Sequence, residues 1–132
     1  MFKSVGSQVW IFDTEWVPDP ITGKLLYQLS DELSDEAIML EMWKKGGATE
    51  DNPTPYLKTV LCRVVSISAI TRTLVDGEVR LRLLSLPRDP HDSKQTSESQ
   101  IIESFLNAIG KFKPQLVGYN SVSADLKIMI QR

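Results

Sequence analysis

The pattern of apolar and polar positions along the chain predicts strands that alternate with helices. Mostly apolar runs predict strands over residues 8–13, 59–75 and 115–119. A capping serine, acids at the start and lysines at the end predict a helix over residues 34–45. A capping serine and an apolar stripe predict a second helix over residues 97–112. The chain is therefore predicted to contain both helices and strands along its whole length.

Proline and glycine positions mark where these elements are expected to end. Pro18, Pro20 and Gly23 predict a loop between the first strand and the first helix. A last apolar helical pattern follows Asp125 and reaches Arg132 without a glycine or a capping residue. We therefore expect the domain to continue beyond Arg132.

A hairpin is predicted at the end of the long central strand. Asp76-Gly77 follows that run directly, and Asp-Gly between two apolar runs is a strong signal for a type I′ turn. In the return strand, over residues 79–83, valine and leucine alternate with Arg80 and Arg82. One face of that strand is therefore expected to be buried. The arginines are expected on the solvated face, with contact to phosphate as the alternative.

The element order predicts an α/β fold with a mixed sheet flanked by helices. At 132 residues the chain is long enough for one hydrophobic core, so we expect a single domain over residues 1–132. Because the last helix has no end signal, this domain is expected to be C-terminally truncated.

Composition and charge exclude several classes of protein. The net charge of -2 gives no overall attraction to nucleic acid, so such a partner requires a local basic patch or bound ions. No apolar run is long enough to cross a membrane. The single cysteine, Cys62, excludes an internal disulfide and is expected to be a buried thiol. These features predict a soluble, cytoplasmic protein.

Two carboxylates at the end of the first strand are the main candidates for chemistry. Asp13 and Glu15 are two residues apart, so they project from the same face of a strand. Neighbouring carboxylates repel each other unless a cation compensates them, and a hard divalent ion is suited to this. A solvated strand end that carries two acids is the alternative that this motif alone leaves open.

Asp125 is the third candidate, because it stands between a strand and the helix that follows it. If that strand lies parallel to the first strand, Asp125 converges with Asp13 and Glu15 at one edge of the sheet. Three such acids predict a two-metal site in which Asp13 is best placed to bridge the ions. Paired ions activate a water and stabilise the leaving oxygen of a phosphodiester.

Three stretches of the chain resemble a known family. They are Phe-Asp-Thr-Glu at residues 12–15 with Pro18-Asp19, the strand at residues 64–70, and Leu-Val-Gly-Tyr-Asn at residues 116–120 with Asp125. The first and last resemble the first two motifs of the DEDD 3′–5′ exonucleases. The chain is most similar to the exonucleases related to the proofreading domain of family B DNA polymerases.

The resemblance implies a fold, an activity and a set of roles. It implies an RNase H-like fold, two Mg²⁺ or Mn²⁺ ions, and release of nucleoside monophosphates from the 3′ end of single-stranded DNA or RNA. Asp13, Glu15 and Asp125 match metal ligands, which are also the catalytic residues of the family. The same match implies substrate-binding roles for three more residues. Thr14 and Trp16 would lie near the terminal nucleotide, and Asn120 would position the substrate or Asp125.

The family's third motif, a Tyr or His followed shortly by a fourth Asp, is absent from this sequence. His91 does not replace it, because it precedes the second motif and has no Asp at the right spacing. The motif would supply the general base and one metal ligand. A non-catalytic nucleic-acid-binding or scaffold module on the same fold is therefore the alternative function. Protein partners and the choice between DNA and RNA stay open.

Overall fold

The computed structural model describes residues 4–132, which form two compact units. The first, called the sheet unit, combines the residues up to Glu15 with Val64–Arg132. The second, called the helical insertion, comprises Trp16–Arg63. In chain order the elements are β1 (Gln8–Pro18), α1 (Pro20–Tyr27), α2 (Asp35–Lys45), β2 (Cys62–Val75), β3 (Glu78–Leu86), α3 (Glu98–Phe112), β4 (Gln115–Val117) and α4 (Asp125–Gln131).

The four strands form one mixed sheet in the order β3-β2-β1-β4. β4 pairs with β1 in parallel, with Val9 opposite Gln115 and Ile11 opposite Val117. β3 pairs with β2 in an antiparallel register. A mixed sheet of this order with flanking helices confirms the RNase H-like α/β fold expected from the sequence.

The β2–β3 hairpin forms as predicted, but its return strand is not half-buried. Asp76 and Gly77 have φ angles of 52° and 81°, the left-handed values that a type I′ turn requires. The expectation that residues 79–83 bury one face is wrong, because Leu81 is 66% exposed and Leu83 is 76% exposed. β3 is the edge strand of the sheet, and the face that carries these leucines is open to solvent.

The core of the sheet unit is built around aromatic side chains on β1 and α3. The rings of Phe12 and Phe105 are 5.3 Å apart, and Trp10 packs against both Phe105 and Phe112. Trp10, Phe12 and Phe105 are each no more than 5% exposed. Large buried rings contribute strongly to stability, so these contacts fix α3 against β1.

The predicted helix at residues 97–112 is confirmed as α3. Ser97 caps it through the Gln100 amide, which donates to the serine Oγ at 3.3 Å. Glu98, in the first turn, accepts a hydrogen bond from the Val64 amide at 2.7 Å and from Arg132 at 2.8 Å. This carboxylate therefore ties the end of α4 to the start of α3 and to β2.

The helical insertion begins with a helix where the sequence predicted a loop. Asp19 caps α1 by accepting from the Ile21 amide at 3.2 Å and the Thr22 hydroxyl at 2.6 Å. Pro20 occupies the first helical position, where its missing amide hydrogen costs nothing. The loop prediction was wrong because Asp-Pro is both a turn signal and a helix-start signal.

The second helix of the insertion is confirmed, with Ser34 as its N-cap. α1 packs against α2, and the contact is closest at Gly23. A Cβ at Gly23 would overlap the Met42 sulfur and would lie 2.8 Å from Met42 Cγ. Met42 is fully buried, so glycine is the residue that permits this approach.

Two further expectations concern burial and membrane crossing. Cys62 is buried, as predicted, and its Sγ lies 3.7 Å from the Lys58 carbonyl oxygen. Within residues 4–132, no helix combines the length and the apolar character that crossing a bilayer requires.

We predict that Gly23→Ala destabilises the chain by about 1–3 kcal/mol, because the new methyl group overpacks the contact with Met42. The matched control is Gly110→Ala in α3, where nothing lies within 4 Å of the added Cβ. That control should stabilise the chain by up to about 1 kcal/mol, since alanine is the better helix former. Urea denaturation measures both values, and equal effects would contradict the close approach of α1 and α2.

Candidate functional site

The candidate site is built on β1, where two carboxylates lie on one face; the sequence placed them at the end of this strand, but the strand continues past them to Pro18. Asp13 and Glu15 are both exposed and alternate with buried Phe12 and Thr14. Neither carboxylate forms a hydrogen bond or an ion pair with any residue in the described range 4–132. The repulsion between these two charges is therefore uncompensated by the described residues.

The third acid reaches β1 through a hydrogen bond to the backbone. The Thr14 amide donates to Asp125 Oδ1 at 3.0 Å, and the contact is buried. The register explains why this amide is available. β4 ends at Val117, opposite Ile11, so Thr14 lies beyond the last strand pair on that side. The Asp125 carboxylate takes the place of a continuing strand.

The loop between β4 and α4 places Asp125 through backbone geometry. Asn120 adopts a left-handed φ of 53°, and its carbonyl oxygen accepts from the Ser123 and Ala124 amides. A Cβ at Gly118 would lie 2.6 Å from Ser121 Cβ, so glycine is needed where this turn folds back. The chain then enters α4 with Asp125 as its first helical residue.

Asp125 is only 2% exposed, so its carboxylate needs compensation in place of water. The charge-assisted hydrogen bond from Thr14 supplies part of it, and the start of a helix favours a negative charge. This carboxylate is thus held at a fixed position against β1, whereas Asp13 and Glu15 point into solvent.

The predicted substrate-contacting residues lie in three different settings. The Thr14 side chain is 3% exposed and its Oγ1 has no hydrogen-bond partner among the described residues. Asn120 is exposed and contributes its backbone to the turn. Trp16 belongs to the helical insertion, where its ring packs edge-on against Tyr56 at 6.4 Å. The backbone amide of Thr14 is thus bonded to Asp125, and its side chain is buried within β1.

The structure brings Asp125 to the backbone of β1 between Asp13 and Glu15, but the three predicted metal ligands do not form a closed set. Within residues 4–132, no three Asp, Glu, His or Cys side chains are placed close enough to hold an ion together. The donor chemistry nevertheless fits a hard divalent ion. Asp13 and Glu15 offer exposed carboxylates without protein partners, and Asp125 offers a third carboxylate fixed by the Thr14 amide.

Sequence reasoning missed three features that position the site. The first is the Thr14 amide, since its partner is 111 residues away and no local pattern shows an open place in a strand ladder. The second is the Glu98–Arg132 pair, because Glu98 also has the ordinary position of an acid at a helix start. The third is the close approach of Gly118 to Ser121. The position of a glycine between β4 and the next turn is the sequence signal that could have indicated it.

The fold and the acids on β1 define the class of protein: an RNase H-like domain whose first strand carries two exposed acids. Residues 54–132 match the model of a family described as predicted 3′–5′ exonucleases related to the exonuclease domain of PolB. The match covers more than half of the chain, and the chain belongs to this family. The resemblance inferred from the sequence is confirmed.

The matched region contains β2 and the segment from β4 to Asp125, and Asp13 and Glu15 precede it. No curated protein and no solved structure matched the chain. The roles of Asp13 and Glu15 are therefore argued from the geometry of the site and not from the family match.

We predict that Asp125→Ala lowers the free energy of unfolding by about 1–3 kcal/mol, because it leaves the buried Thr14 amide without an acceptor. Asp125→Asn keeps an oxygen at that position and should cost roughly 1 kcal/mol or less. Asp13→Ala is the control, and it should change stability by less than about 0.5 kcal/mol because Asp13 is exposed.

Urea denaturation measures these values, and amide hydrogen exchange at Thr14 reports the bond directly. Exchange at Thr14 should accelerate in Asp125→Ala and stay slow in Asp13→Ala. An unchanged exchange rate in Asp125→Ala would show that the carboxylate does not hold this amide.

Proposed function

We propose that the chain contributes to a metal-dependent 3′–5′ exonuclease that hydrolyses single-stranded nucleic acid from its 3′ end. The products are nucleoside monophosphates. The observation that carries the proposal is the hydrogen bond from the Thr14 amide to Asp125. It brings a third carboxylate to the strand segment that already carries Asp13 and Glu15. Membership of a predicted 3′–5′ exonuclease family supports the same reaction.

Electrostatics supports a divalent cation, Mg²⁺ or Mn²⁺, at this site. Two exposed acids on one strand face carry no compensating partner among the described residues, and the whole chain has a net charge of -2. A polyanionic substrate would be repelled from such a site. Asp13, Glu15 and Asp125 would hold the ions, which when bound activate a water and stabilise the leaving oxygen.

The chain's own residues have separate tasks in this proposal. Asp125 is fixed by the Thr14 amide and therefore presents its carboxylate in one orientation. Asp13 and Glu15 supply the exposed charges on the adjacent face of β1. The family resemblance implies that Asn120 would position the substrate or Asp125. In hydrolysis the oxygen of a water molecule bonds to the phosphorus of the terminal nucleotide. The bond from that phosphorus to the 3′ oxygen of the preceding nucleotide breaks, and this 3′ oxygen takes up a proton.

We predict that the chain shortens a 5′-labelled single-stranded oligonucleotide from its 3′ end in Mn²⁺ or Mg²⁺. Asp13→Asn removes one charge with little change in shape. It should lower the rate by at least about 100-fold, since loss of a group that merely supports a metal ligand costs ~10–100-fold. Denaturing gels of the product ladder, with and without a chelator, measure the rate.

The matched control for this experiment is Asp51→Asn, which removes an exposed acid from a loop of the helical insertion. It should retain the full rate. Cleavage that survives in Asp13→Asn or in the chelator would contradict the proposed site. Shortening from the 5′ end would contradict the proposed polarity.

One observation favours the alternative function of a non-catalytic nucleic-acid-binding module. Within residues 4–132, the three acids are not gathered into a metal-holding cluster. Isothermal titration with Mn²⁺ separates the two functions. Metal binding that is lost in Asp13→Asn, together with cleavage, supports the enzyme. Oligonucleotide binding without metal binding or cleavage supports the module.

A further inference from the structure

A cationic groove crosses the face of the sheet opposite Asp13 and Glu15. It has a volume of about 350 Å³ and lies over β2 and β3, with Arg80, Arg82 and Arg88 in its lining. Arg80 and Arg82 pair across the sheet with Thr73 and Thr71, so these four side chains share one face.

The three arginines carry positive charge that the described residues leave uncompensated. All three are exposed, and none forms an ion pair with any residue of the described range. None of the residues lining the groove is acidic. The groove is therefore a local basic patch on a chain whose net charge is -2. The charge of this groove is complementary to that of an anionic ligand. Asp13 and Glu15 would instead repel an anion unless cations were bound there.

The other wall of the groove is aromatic. Phe112 lines it and is 48% exposed, and Trp10 forms part of the floor. Lys111 Nζ lies over one face of the Phe112 ring, 5.3 Å from its centroid, and adds a further positive charge. Proteins that bind single strands combine a basic groove, which follows the phosphates, with aromatic rings, on which bases stack.

A polar side chain in the groove, Gln8, favours a nucleic acid over a simple phosphate as the ligand. Gln8 lines the same groove, and its Oε1 is buried without a hydrogen-bond partner among the described residues. This acceptor needs an N–H or O–H donor. Bases and ribose hydroxyls supply such donors, whereas phosphate supplies acceptors for arginine.

We propose that this groove binds the phosphodiester backbone of single-stranded nucleic acid. The proposal extends the proposed function, because the substrate strand would be held at a second place outside the acidic site. A larger groove of about 420 Å³ shares Trp10, Leu84 and Arg88 with it and adds Lys94. The binding surface therefore continues from β3 toward α3.

The test measures binding of a fluorescent 20-nucleotide deoxythymidine strand by anisotropy, at several salt concentrations. The full chain carries Asp13→Asn and the buffer contains a chelator, so the acidic site does not contribute. Adding Arg80→Gln and Arg82→Gln should weaken binding. It should reduce the slope of log K against log salt by roughly 1.4, since each phosphate contact on a single strand contributes about 0.7.

The control is Lys45→Gln with Lys58→Gln, which removes the same charge from the helical insertion. Its slope should equal that of the parent chain. Equal slopes for the arginine and lysine variants would overturn the proposal. Binding of poly-glutamate with the same dependence on Arg80 and Arg82 would also overturn it, in favour of an acidic protein partner.

This test is independent of the proposed enzyme activity. A chain that shows the arginine-dependent slope but no cleavage keeps the groove and loses the exonuclease. A chain that cleaves but shows no such slope keeps the exonuclease and loses the groove.

Discussion

The hydrogen bond between the Thr14 amide and the Asp125 carboxylate is the interaction on which the site depends. A strand amide that has lost its neighbour must find another acceptor or leave a buried donor unpaired. Here the acceptor is the Asp125 carboxylate, so one hydrogen bond both satisfies the strand amide of Thr14 and orients Asp125. The short β4 is what makes this possible, because a longer strand would occupy the place that Asp125 takes.

The two faces of the sheet carry opposite electrostatic character, and this follows from the alternation of side chains in strands. On β1, one set of positions packs against α3 and the next set carries Asp13 and Glu15. On β3, Arg80 and Arg82 lie on the face that α3 partly covers. The net charge of -2 is therefore the sum over a chain that has a locally negative face at Asp13 and Glu15 and a locally positive face at Arg80 and Arg82. Averages over a chain of this size do not predict where a polyanion would bind.

Local signals predicted the elements whose causes are local. The Asp76-Gly77 turn and the Ser97 cap lie in the same few residues as the structure they specify, so the hairpin and α3 were predicted correctly. α1 was missed because Asp19-Pro20 fits both a turn and a helix start, and packing against α2 decides between them. The exposure of Leu81 and the anchoring of Asp125 depend on sheet order and register, which join distant parts of the chain. The shared face of Asp13 and Glu15 was predicted from their spacing, but the bond that orients Asp125 was not.

The open edge of the sheet at β3 also bears on how copies of this chain meet in solution. An exposed edge strand presents unpaired amides and carbonyls to any other strand, which is a common route to aggregation. Two copies that paired through β3 would bring Arg80 and Arg82 of one copy against the same residues of the other. Charge repulsion at this edge falls as salt screens it. The same two arginines would therefore oppose pairing of two copies through β3, and this repulsion would be weakest at high ionic strength.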